Sequence, residues 1–200
     1  MSNINGKAYA MNAITPMKPW KTWILRIVFR GLEIAFSLFP SGGLKELSFI
    51  HFARWVIVPH RKFPRITSQQ PKEDLQYDYL FFFSNFNGTW NQYIDAFSAV
   101  VSDGLDAIWC WSEKFPGAVP VTPFKEYIAR VQFETDYYYD AYPHATTNDV
   151  KAAHLVQAAF DELAAPSLGM SSDDFAKAYL QFLTKVQGNL GATGEPPVGT

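Results

Sequence analysis

The sequence predicts an α+β fold built as one domain. Two short runs, 49–58 and 79–84, are rich in aromatic and β-branched residues and read as strands, while several longer stretches repeat apolar residues at helical spacing. The length of 200 residues with 48% hydrophobic content supplies one core of ordinary size and is short for two. We read 44–187 as the α+β domain, 1–43 as an N-terminal arm and docking helix, and 188–200 as a Gly/Pro-rich flexible tail.

Taken in order, residues 1–19 hold Gly6, Pro16 and Pro19 without sustained periodicity and read as an irregular arm. Between 20 and 39, the polar residues Thr22, Arg26, Arg30, Glu33 and Ser37 recur every three or four positions, so they form one narrow stripe on an otherwise apolar helix. Pro40 and Gly42-Gly43 stop that helix. Residues 49–58 are largely apolar on both faces and predict a strand in the middle of a covered sheet. The polar stretch 61–76, with Pro64 and Pro71, is a loop. Residues 79–84 resume a strand, which Asn85-Phe86-Asn87-Gly88 turns into a helix opened by Thr89-x-x-Gln92. Trp90, Tyr93, Ile94, Phe97, Val100 and Val101 share its inner face, and Gly104 marks its exit. Thr122-Pro123 opens a further helix, with strand alternation through Tyr127, Ala129, Val131 and Phe133 as the competing pattern, and a strand is expected near 136–142. Thr146-x-x-Asp149 caps a helix with Leu155, Val156, Ala159, Phe160 and Leu163 inward. A last helix over 172–187 carries Phe175, Tyr179, Phe182, Leu183 and Val186 on one face.

A net charge of −2 gives no global basic field, and no nucleic-acid partner is expected. The single cysteine, Cys110, excludes an intrachain disulfide and a thiolate zinc site, reads as a small buried thiol, and fits a reducing compartment. The first fifteen residues lack a charged start, an apolar run and a small-residue cleavage site, so a cytoplasmic protein is expected. There is no H-E-x-x-H, no G-x-S-x-G, no G-x-G-x-x-G and no P-loop in the sequence. No catalytic residue, metal ligand or cofactor is therefore assigned.

The apolar arc of the N-terminal helix covers about two-thirds of its circumference at 100° per residue, more than a surface helix needs. Arg26, Arg30 and Glu33 argue against a membrane span, because each charge near mid-bilayer costs roughly 2.5–3.5 kcal/mol. Trp20 and Trp23, beside Lys18 and Lys21, suit a headgroup region. We expect Trp20, Trp23, Leu25, Ile27, Val28, Phe29, Leu32 and Phe36 to dock on a membrane surface or a membrane-protein complex. The competing reading packs this helix under its own domain or in a homodimer interface.

Of the histidines, His154 groups with Gln157 and Asp161 and faces solvent, and His60 and His144 flank turns and are expected to be exposed. His51 and Arg54 interrupt an apolar strand and point to opposite sides by parity. With Tyr139, from the cluster Tyr137-Tyr138-Tyr139 and Tyr142, they are candidate ligand-pocket residues; packing and satisfied structural polar groups are the alternative.

The stretches Ser48-Phe49-Ile50-His51-Phe52-Ala53-Arg54-Trp55 and Tyr79-Leu80-Phe81-Phe82-Phe83-Ser84-Asn85-Phe86-Asn87-Gly88 resemble ferredoxin-like α+β domains of the dimeric α/β-barrel group. That group includes antibiotic-biosynthesis-type monooxygenases, chlorite-dismutase-like proteins and dye-decolourising peroxidases. The resemblance spans about residues 45 to 165 and implies an antiparallel sheet with amphipathic helices on one face, and a sheet-walled cavity or a sheet-mediated dimer. The peroxidase G-x-x-D-G motif is absent, Gly104-Leu105-Asp106-Ala107 being only superficially similar, and no haem ligand can be matched. The functional expectation is a non-catalytic accessory or docking protein, peripheral on the cytoplasmic face of a membrane. The alternatives are an enzyme or carrier holding an apolar ligand, haem or lipid-like, against His51, Arg54 and Tyr139, and a soluble homodimer.

Overall fold

A computed structural model describes residues 3–38 and 47–189. The elements are β1 (Ile4–Asn5), β2 (Ala8–Met17), α1 (Thr22–Leu38), β3 (Ile50–Val58), β4 (Asp78–Asn87), α2 (Trp90–Val100), α3 (Ser102–Trp109), α4 (Val121–Val131), β5 (Gln132–Phe133), α5 (Thr147–Ser167) and α6 (Ser172–Val186). The fold is α+β. Its five-stranded antiparallel sheet runs β1-β2-β4-β3, and β5 also pairs with β2.

The largest departure from expectation is β2, which lies inside the stretch read as an irregular arm. All ten of its residues pair with β4, from Ala8 opposite Asn87 to Met17 opposite Asp78. Its residues alternate. Tyr9, Met11, Ala13, Thr15 and Met17 are buried beneath the helices, and Ala8, Ala10, Asn12, Ile14 and Pro16 occupy the other face. Ala, Asn and Met have little strand preference of their own, so the alternation is weak in sequence and the pairing partner decides. Residues 8–17, read as part of an irregular arm, are therefore a central strand of the sheet.

Three further boundaries move. β3 is an edge strand with His51, Phe52, Arg54 and Val56 exposed, not a central strand covered on both faces. β4 continues through Asn87, because Phe86 stacks on Tyr9 at 5.0 Å and on Tyr93 at 3.8 Å between ring centroids; the turn is left to Gly88, at φ +97°. The break after α2 comes at Val101, and Gly104 lies within α3. The strand expected near 136–142 does not form. The only pairing nearby among the described residues is the two-residue β5, at Gln132–Phe133, and 134–146 is irregular. Both predicted capping boxes, Thr89 with Gln92 and Thr146 with Asp149, are present.

One face of the sheet carries the core. Leu25 of α1, Tyr93, Ile94 and Phe97 of α2, Leu105, Ile108 and Trp109 of α3, and Phe124 and Ile128 of α4 close over Met11, Met17, Leu80, Phe82 and Phe86. Each such side chain, fully buried, contributes about 1.5–3 kcal/mol. α5 and α6 pack mainly on each other, with the Phe160 and Phe182 rings 6.2 Å apart, and Ala152, Ala159, Leu163 and Val186 are buried; Leu155 and Phe160, expected inward, are more than half exposed. No helix among the described residues is long and apolar enough to cross a membrane.

A buried carboxylate ties α1 to the sheet. Asp78, at the start of β4, accepts from the Thr22 hydroxyl through Oδ2, and from the His60 backbone N–H (2.7 Å) and Nδ1 (2.6 Å) through Oδ1. Thr22 was expected on the solvent stripe and His60 in solvent; Thr22 is buried and His60 only partly exposed. Burial pushes the Asp78 carboxyl up, but the bonds from Thr22 and His60, with the charge of His60, outweigh it and hold its pKa below the ordinary carboxylate value. A depressed folded pKa adds stability above the unfolded value, lost as pH falls through the folded one. Asp78→Ala should therefore lower unfolding free energy by about 2–4 kcal/mol at neutral pH, with the gap to wild type narrowing on acidification, as read by denaturant melts. Deleting residues 1–18 should abolish the cooperative transition altogether, since it removes β2.

Candidate ligand cavity on the open face of the sheet

The face of the sheet away from α1 to α4 is paved in cross-strand rows. Asn12, Phe83 and Arg54 lie opposite one another across β2, β4 and β3, and Ala10, Asn85 and Phe52 form the adjacent row. Small residues on β2, Ala8 and Ala10, leave space above this floor. The segment 135–145 and Val150 of α5 form the opposite wall, enclosing an open cavity of about 740 Å³.

All three candidate pocket residues, His51, Arg54 and Tyr139, line this cavity. Their convergence required a feature hidden in the sequence. The β3–β4 register shifts between Ile50 and Phe52, and this bulge brings His51 to the same face as Arg54, where parity had placed them on opposite sides. Arg54 lies over Phe83, with Cζ 4.9 Å from the ring centroid. It has no ion pair among the described residues.

The cavity wall is held by amides. Asn5 Nδ2 donates to the Tyr138 carbonyl (2.8 Å), Asn12 Nδ2 to Thr135 Oγ1 (2.8 Å), and Asn85 Nδ2 to the Tyr138 hydroxyl. Asn87 accepts from the Thr147 N–H (3.0 Å), fixing the start of α5 to the end of β4. Asn85 and Asn87, expected to shape a turn, instead brace this wall from within the strand. Burial raises the Tyr138 pKa, with Asn85 opposing and Asp140 reinforcing the shift. Burial lowers that of His51 against the opposing effects of Asp140 and Asn87, which disfavours the charged imidazole. Tyr138, from the phenol cluster noted in the sequence, and the neighbouring Asp140 also line the cavity, whereas Asn12 and Thr135 escaped sequence reasoning because β2 was not recognised and 134–146 has no periodicity.

The candidate docking residues separate into two groups. Leu25 is fully buried, and Val28, Phe29 and Leu32 pack against the core, Phe29 with its ring 6.1 Å from that of Trp55. Trp20, Trp23 and Ile27 are 58–61% exposed. The side chain of Phe36 lies outside the described residues. A second cavity of about 470 Å³ lies between α1 and α3, lined by Phe29, Leu32, Trp55, Leu105 and Ile108, with Glu33 and Asp103 also on its wall. Cys110, expected to be buried, is exposed just after α3. His154 is exposed as expected. Among the described residues no group of three or more His, Cys, Asp or Glu side chains is arranged to hold a metal ion.

No protein-family model matches the chain, and neither a curated protein nor a solved structure matches it. The wall itself is open to test. Tyr138→Phe removes the partner of Asn85 and should cost about 1 kcal/mol. Hydrogen exchange should quicken at the Thr135 and Tyr142 amides, leaving those of β2 and β4 protected.

Proposed function

We propose that the chain is a binding protein for a compact, largely apolar molecule carrying an anionic group, held in the cavity on the open face of the sheet. The single observation that carries this is Arg54, a guanidinium on an apolar floor, resting on Phe83, with no acid paired to it among the described residues. Arg54 is exposed to solvent, and covering its charge with an apolar ligand is unfavourable unless it gains a partner; the planar fork of arginine fits a carboxylate or sulfonate through two parallel hydrogen bonds. Phe52, Phe83, Tyr139 and Val150 supply the apolar contact; His51 and Asn12 supply polar contacts. Lipid-like acids and haem, with its propionates, are members of this ligand class. No reaction is proposed.

The chain order of the elements supports a ferredoxin-like reading of the domain. With β5 beside β2, the strands run β5-β2-β4-β3; α1 connects β2 to β3, and α2, α3 and α4 connect β4 to β5, all packing on one face. A second reading, in which two copies pair through their sheets and close the cavity, is supported by the floor beyond it. There the rows Ile14–Phe81–Val56 and Pro16–Tyr79–Val58 continue an apolar surface, with Val56 44% exposed.

Fluorescence titration with anilinonaphthalene sulfonate, an aromatic anion, tests the ligand reading. Wild-type protein should bind one equivalent saturably, and Arg54→Gln should weaken that binding about tenfold or more with unchanged melting temperature. Equal affinity in the two proteins would count against it. Light scattering addresses the second reading, since Val56→Lys should convert a dimer into a monomer.

A further inference from the structure

The charge of the chain is near zero overall but strongly divided along its length. Residues 1–72 hold eleven Lys and Arg against two Asp and Glu, and residues 73–200 hold six against seventeen. The fold gathers part of the basic half at one end. Asp78 joins the start of α1, through Thr22, to the loop after β3, through His60. Six basic residues on these two segments, Lys18, Arg26, Arg30, Arg61, Lys62 and Arg65, are exposed, and none has an ion pair among the described residues.

Exposed apolar side chains lie among them. On α1, Trp23, Ile27 and Ile34 fall within about 40° of one another at 100° per residue, and all three are 58–61% exposed. Arg30 and Arg26 lie along one edge of this stripe. Trp20 precedes it at 59% exposure, and the loop adds Phe63 at 43% and Ile66 at 94%. The stripe is the part of the wide apolar arc that the domain does not use, since Leu25, Val28, Phe29 and Leu32 turn inward.

We infer that this end of the molecule, α1 with the loop 60–66, docks on an anionic lipid bilayer with α1 lying in the plane of the interface. Charge complementarity selects the occupant. Two copies meeting through this surface would bring two basic patches together, whereas anionic headgroups neutralise them. A nucleic acid would meet the charges but offers no apolar phase to Ile27, Ile34 and Ile66; the acyl boundary does, and Trp20 and Trp23 suit the headgroup level above it. The acidic remainder of the chain is repelled from the same surface, which orients the approach. This inference is independent of the cavity.

Vesicle flotation of the full chain tests it, with phosphatidylcholine vesicles and with vesicles also containing phosphatidylserine. Wild type should float with the anionic vesicles, with a blue shift in tryptophan emission, and detach as salt is raised. Arg26→Gln with Arg30→Gln should weaken that partition about twenty-five-fold, at about fivefold per basic residue. Trp23→Ser with Ile27→Ser should weaken it at least about tenfold, and neither pair should change the melting temperature, because all four side chains are exposed. The inference is overturned if wild type binds neither vesicle or if both double variants float like wild type. It is equally overturned if the serine variant loses only self-association by light scattering, or if an oligonucleotide binds more tightly than anionic vesicles and indifferently to the serine substitutions.

Discussion

Everything in this molecule is arranged about the ten-residue antiparallel pairing of β2 with β4. That ladder fixes which side chains of both strands face which way, because the side-chain period of two leaves no freedom once the register is set. Met11, Met17, Phe82 and Phe86 are committed to one face, where α1 to α4 close the core. Asn12, Phe83 and Asn85 are committed to the other, where the cavity forms. A slip of one residue would exchange the two sets, placing amides in the core and large apolar side chains on the open face.

The two faces do different physical work. On the helical side, aromatic packing is dense: Trp109 meets Phe82 at 5.1 Å and Trp55 at 6.0 Å, and Tyr93 stacks on Phe86. On the other, alanines on β2 and an edge strand with a bulge leave room, and an irregular segment held by three asparagine side chains forms the opposite wall. Asparagine suits that task. Its amide both donates and accepts, so it satisfies backbone and side-chain groups of a segment that has no ladder of its own.

α1 shows why a helix can be more apolar than its own domain requires. Its inner residues complete the core above Trp55, its first turn is pinned by Asp78, and its outer residues Trp23, Ile27 and Ile34 remain in water. Leaving large apolar groups exposed lowers solubility without stabilising the fold, and their concentration beside arginines on one helix is the observation behind the proposed bilayer contact. The cavity lies towards the opposite ends of β2, β3 and β4 from this surface, and the two places are separate in the fold.

The sequence by itself determined the elements whose signals are local. The capping boxes at Thr89 and Thr146, the helical spacing of α1, α2, α4 and α6, and the aromatic runs of β3 and β4 follow from residues within one or two turns of each other. It also singled out His51, Arg54 and Tyr139, because polar groups in an apolar strand and a run of phenols stand out against their neighbours. Only the tertiary structure decided what depends on distant partners. β2 became a strand because β4 offers it a complete ladder, β3 an edge because nothing among the described residues pairs beyond it, and Thr22 a buried anchor because the fold brings it to Asp78, 56 positions away. The same holds for the cavity. His51 shares a face with Arg54 through one bulge in the β3–β4 register, and a register is a property of two strands that neither segment carries alone.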